Sequence, residues 1–146
     1  MKTPAQIFED VHAQLKLGYS SVFIASSKSE HNLNEDNSTM QIVFDNTDLS
    51  FDHDLANGGS VYSYPIRLLF LKLDELSNLQ EGADVITAEC FNVSNKFINL
   101  LRKYELVKVS NIKGVFIYDY QDENLTGVYI TFTLTQNSID SLCTLQ

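Results

Sequence analysis

Residues 60–73 constrain this chain more than any other stretch. In extended backbone, successive side chains point to opposite faces. Tyr62, Tyr64, Ile66, Leu68 and Phe70 then share one face, and Leu69, Leu71 and Leu73 share the other. Apolar residues on both faces need cover from both sides, which predicts a central strand rather than a free edge. Pro65 has no N–H to give to a ladder, so the strand must be bulged there or unpaired on one side. The longest unbroken apolar run, at positions 68–71, has four residues. A membrane helix needs about 20, so no span is expected.

The remaining elements arrange themselves around that strand. Thr3 can cap a helix and Pro4 suits its first position, which predicts a helix over 3–17. Phe8, Val11 and Leu15 give it one apolar face, and Gly18 stops it. Residues 19–25, centred on Val22, Phe23 and Ile24, and residues 40–44 predict two short strands. The polar stretch 26–38 between them reads as a loop. Residues 45–59 hold four aspartates, isolated apolar side chains and Gly58-Gly59, which predicts a long acidic loop. After a linker over 74–82, Ile86, Cys90, Val93, Phe97, Leu100 and Tyr104 step by three and four. That spacing predicts the main helix over 84–104, about 30 Å long, with Ser94 and Asn95 off its apolar stripe.

Residues 106–135 predict a C-terminal hairpin turning through a polar loop at 121–127. In its second strand Val128, Ile130, Phe132 and Leu134 alternate with Tyr129, Thr131, Thr133 and Thr135. One face is core and the other is rich in hydroxyls. The order of elements predicts an α+β fold, a mostly antiparallel sheet of about five strands with two helices packed on one face. At 146 residues, with 44% hydrophobic and 20% charged residues, the chain is expected to form one globular domain over 1–146.

Nineteen acids against ten bases give a net charge of −9, which repels phosphate backbones. The charge is uneven. Between Lys28 and Asp54 lie seven acids, Glu30, Glu35, Asp36, Asp45, Asp48, Asp52 and Asp54, and one base. The bases gather later, at Lys96, Arg102, Lys103, Lys108 and Lys113. An acidic edge and a basic edge of this kind could meet between identical subunits; as solvated faces they would do nothing further. Two cysteines, Cys90 and Cys143, are too few for a disulfide framework. Cys90 falls on a helical stripe as a small core residue. Glu9, Asp10 and Pro4 occupy the place of a signal peptide's apolar core, so secretion is not expected.

Local motifs for chemistry are weak. His12, His31 and His53 lie on separate elements, and neither HxxxH nor CxxC occurs, so no metal and no cofactor is expected. Asp52-His53-Asp54 could orient an imidazole, but sequence neighbours on an extended chain point apart. Asn32-x-Asn34-x-Asp36 begins like a calcium loop, then places Asn37 and Val43 where glycine and glutamate are needed. Five tyrosines, at 62, 64, 118, 120 and 129, lie on expected strands among acidic or neutral neighbours, which favours packing over base stacking.

Taken in order, the later two thirds carry a pattern. A long strand, Tyr62-Ser-Tyr-Pro-Ile-Arg-Leu-Leu-Phe-Leu-Lys-Leu-Asp74, ends in an acid. A helix with Phe97-Ile-Asn-Leu-Leu101 follows, then Val115-Phe-Ile-Tyr-Asp-Tyr120, then Asp122-Glu-Asn-Leu-Thr-Gly-Val-Tyr-Ile-Thr-Phe-Thr-Leu134, and finally Cys143. Over about residues 60–143 this resembles small neck and tail-completion proteins of bacteriophages, particularly those of phages infecting Bacteroidetes-type hosts. The resemblance implies a non-enzymatic virion subunit, tail terminator or neck protein. It implies a homo-oligomeric ring between the capsid portal and the tail tube, made in the host cytoplasm, with its own copies and neighbouring tail-tube, neck or portal proteins as partners. DNA would at most pass through the lumen without sequence-specific binding, and no membrane is involved. On that reading the acids and bases named above are expected at an inter-subunit or lumen-facing surface. The rival expectation is a soluble acidic adaptor or inhibitor that binds a basic partner outside any virion.

Overall fold

In the computed structural model, residues 2–26, 39–56, 59–73, 79–120 and 125–138 are described. They form two helices and six strands: α1 (Pro4–Leu15), β1 (Ser21–Ser26), β2 (Met40–Asp45), β3 (Asp52–Ala56), β4 (Gly59–Leu73), α2 (Leu79–Arg102), β5 (Val107–Tyr120) and β6 (Leu125–Ser138). The fold is α+β, a mostly antiparallel sheet with both helices in the core on one face. The strand order is β1-β2-β4-β6-β5, with β3 also paired to β4. Among the described residues only β1 and β2 run parallel.

The long strand takes the central place that its two apolar faces require. From Ser60 to Leu73 β4 pairs with β6. Its other edge is shared: Leu68–Leu71 pair with β2, and Gly59–Ser63 pair with β3. Residues 64–67 have no partner in either strand, and Pro65 lies in that gap. The missing N–H therefore leaves no hole in these ladders. Ile66, Leu68 and Phe70 enter the core under the helices, while Leu69 and Leu71 pack with Val43 and Leu125 on the opposite face.

Helix α1 starts as its sequence requires. The Thr3 hydroxyl accepts from the Gln6 N–H, and the Gln6 side chain accepts from the Thr3 N–H, a reciprocal capping box ahead of Pro4. Ile7, Phe8, Val11 and Leu15 are buried. The Phe8 ring sits 5.0 Å from Phe44 and 6.3 Å from Phe132, edge-on to both, and 6.0 Å from Phe97. One side chain thereby ties α1 to β2, β6 and α2. Helix α2 buries Cys90, Val93, Phe97 and Leu101, and the core raises the Cys90 thiol to about 12.

Four expectations change. The stretch 45–59 is not one long loop: Asp45 closes β2, and residues 52–56 form β3, hairpinned onto β4 with only residues 57 and 58 between the paired ends. The overlooked signal was Asn57-Gly58, which favours a two-residue hairpin turn. Helix α2 begins at Leu79, not 84, and ends at Arg102. Ser94 is fully buried within the helix face rather than off it, and its hydroxyl donates to the Phe91 carbonyl at 2.7 Å, which satisfies it there. Strand β6 begins at Leu125, so Thr126 and Gly127 belong to the ladder and not to the turn. The expected loop over 26–38 and most of the 121–127 turn fall outside the described residues.

Candidate functional site

The pairing registers place the charged side chains. Paired residues share a face, so a row can be followed across the sheet: Asp52, Ser63, Thr135, Lys108. A second row joins Arg67, Thr131 and Lys113. Both rows lie on the face opposite the helices, because the alternate residues Phe132 and Leu134 are in the helix-side core. Asp54 shares that face with Asp52, two residues away. The acids stand at one margin of the sheet and the lysines at the other.

Between the margins runs a groove of about 670 Å³, lined by Asp48, Pro65, Arg67, Lys113, Thr131 and Thr133 among others. Its floor is the hydroxyl-rich face that the alternation in β6 predicted. Arg67, not singled out from the sequence, reaches across the gap in the β4 edge and donates to the Thr47 carbonyl. That contact anchors the turn between β2 and β3. The Thr47 N–H donates to the Asp45 carboxylate at 3.1 Å, and Asp48 follows with φ 50°. Aspartate tolerates this left-handed conformation better than most residues. Tyr129, on the same face, has its phenol raised mainly by burial, with Arg67 opposing.

The expected interface residues do not form one surface. Asp48, Asp52 and Asp54 are exposed at the β3 margin, and Lys108 and Lys113 are exposed on β5. Asp45 is buried, so it is no surface acid. Lys96 lies on α2, with Nζ 2.7 Å from the Tyr19 hydroxyl and 4.5 Å from the centre of its ring. Arg102 and Lys103 are exposed where α2 ends, ahead of β5. Glu30, Glu35, Asp36 and Cys143 lie outside the described residues.

The sheet margins also carry apolar surface. Strand β5 pairs with β6 on one side and, among the described residues, with no strand on the other. It exposes Ile112, Val115, Phe116 and Tyr118, with Val115 61% accessible. Near the opposite margin Phe51 is exposed, and on β3 Leu55 is 84% exposed. His53 stacks flat on Tyr62 at 4.3 Å, and Phe51 lies 6.0 Å from the same ring. Asp52 and Asp54 point to the other face, so neither flanking carboxylate shares a face with the His53 ring.

One further pair resembles chemistry. His12 Nε2 lies 2.9 Å from the Ser21 hydroxyl and 3.2 Å from the Ser21 carbonyl. A protonated Nε2 donates to the carbonyl, and an unprotonated Nε2 accepts from the hydroxyl, so either tautomer makes one of these two bonds. The pair fastens α1 to β1. Burial holds this imidazole below its ordinary range. Among the described residues no three His, Cys, Asp or Glu side chains gather to hold a metal, and no helix is long and apolar enough to cross a membrane. No protein-family model matches the chain, and no curated protein matches it.

Proposed function

We propose that this protein is a non-catalytic structural subunit that closes into a homo-oligomeric ring at a bacteriophage head–tail junction or tail end, as a tail terminator or neck protein. The observation that carries the assembly part is strand β5. It is 14 residues long, it lies at the edge of the sheet, and it exposes Ile112, Val115, Phe116 and Tyr118. A long edge with apolar side chains is a template for pairing with another chain, and monomeric proteins usually blunt such edges. A ring needs two different surfaces on each copy, and the opposed acidic and basic margins supply a pair of different chemistry. The phage part rests on the sequence resemblance over 60–143. In this reading the partners are other copies and neighbouring tail-tube, neck or portal proteins. DNA passes the lumen without specific contacts, and the ring resides in the virion after assembly in the host cytoplasm.

Electron microscopy of the purified protein tests it. Annular particles of one diameter, with a central channel wide enough for a DNA duplex, are the expected result. A field of single 146-residue particles, or of irregular aggregates without rotational symmetry, would count against it.

A further inference from the structure

Building on that reading, we infer that neighbouring copies join by laying the basic margin at the start of β5 against the acidic β3 margin of the next copy, so that the sheet continues from one subunit into the other. Strand direction permits this. At the β3 end the sheet runs β3-β4-β6-β5, with every pair antiparallel. Repeating four alternating strands side by side brings β5 antiparallel to the next β3, the stronger of the two ladder types.

Charge selects the same junction. Asp52 and Lys108 are the two ends of one row on one face, Asp52–Ser63–Thr135–Lys108. A lateral repeat without slippage sets Lys108 of one copy beside Asp52 of the next, with Asp54 adjacent. Residues 46–56 contain Asp48, Asp52 and Asp54 and no lysine or arginine. Residues 102–113 contain Arg102, Lys103, Lys108 and Lys113 against one acid, Glu105. Pairing β5 with β5 would oppose like charges, and so would β3 with β3. The margins therefore disfavour a two-fold dimer and favour head-to-tail addition, the contact type that closes rings. On the helix-side face, exposed Phe51 and Leu55 flank the acidic margin, and half-buried Val107 and Val109 line the basic one.

Shape limits the junction to a short segment. Strand β1 lies outside β2, while β2 and β3 share one edge of β4, so the margin steps outward by one strand beyond β3. In the unslipped repeat Val107 and Lys108 of an incoming β5 face His53 and Asp52, and from Val109 onward it runs beside the turn ahead of β3. There its pairing with β6 is interrupted between Ser110 and Lys113, and Asn111 has φ 56°. A bulge bends a strand, and this one bends β5 where it leaves the neighbour's β3, so the junction uses the start of β5 and not its exposed Ile112, Val115, Phe116 and Tyr118.

Charge reversal tests the junction. In one variant Lys108→Glu and Lys113→Glu make both margins acidic; in another Asp52→Lys and Asp54→Lys make both basic. Each alone is expected to run at monomer mass in light scattering at concentrations where the wild type assembles. An equimolar mixture is expected to recover the assembled mass, which a misfolded variant could not do. In a Cys143→Ser background, Asp52→Cys with Lys108→Cys is expected to give an oxidative ladder of successive multimers. If the wild type assembles while both reversed variants assemble equally well, the junction is wrong and the ring stands. A cross-linked product that stops at dimer likewise overturns the junction. A wild type that is monomeric at every concentration overturns the ring and the junction together.

Discussion

Gly127 tolerates no side chain. A Cβ built there would stand 1.8 Å from the Phe70 carbonyl oxygen, inside the backbone of the neighbouring strand. Gly127→Ala must push β6 away from β4 three pairs from the end of the longest ladder, and overpacking of this kind costs about 1–3 kcal/mol. The variant is expected to melt several degrees below wild type, and a superimposable melting curve would contradict the packing. In the sequence this glycine reads as the end of a turn, since nothing along the chain shows how closely a second strand approaches. His12 gives a second residue-scale prediction. Burial lowers its pKa in the fold, with Lys16 adding and the Ser21 carbonyl opposing. The unfolded chain takes up the proton near 6.5. Below that pH the unfolded state binds more protons, so stability falls as pH drops from about 6.5 toward the folded value. Urea midpoints between pH 7.5 and 5.5 should fall more for wild type than for His12→Gln. Equal falls would show that His12 does not contribute.

Strands and helices were readable where one periodicity acts alone. The Thr3 cap with Pro4 behind it, the two-faced strand around residues 66–71 and the alternation from Val128 to Leu134 each name their element without help from the rest of the chain. Strand β3 was hidden because Asp52 and Asp54 are poor strand formers; pairing to the end of β4 overrides that preference. Arg67 was hidden for a related reason. Its role depends on a turn brought beside it from 20 residues away. Helix α1 offers the sharpest test at this scale. It is joined to β2, α2 and β6 through the Phe8 ring, so Phe8→Ala should cost about 3–5 kcal/mol in urea unfolding, while Phe8→Leu should cost less. A loss under about 1 kcal/mol for the alanine variant would mean that α1 is not an integral part of the core.

For the whole molecule, the fold accounts for a core on the helix side of the sheet and for margins that differ in charge. The sequence reading anticipated an acidic and a basic edge, but it assigned them by position along the chain. The fold sorts them differently: Asp45 goes inside, Lys96 stays on its expected helix away from the sheet margins, and Asp52 and Lys108 end one row. The proposal at this scale is that each copy carries two complementary, non-identical margins whose head-to-tail contact closes into a ring rather than an open filament. Native mass by light scattering across a concentration series tests it most directly. The account predicts a discrete assembly that keeps one mass over a wide range and dissociates as salt screens the charged margins. A mass equal to one chain at every concentration would contradict it, and so would a two-fold dimer indifferent to salt.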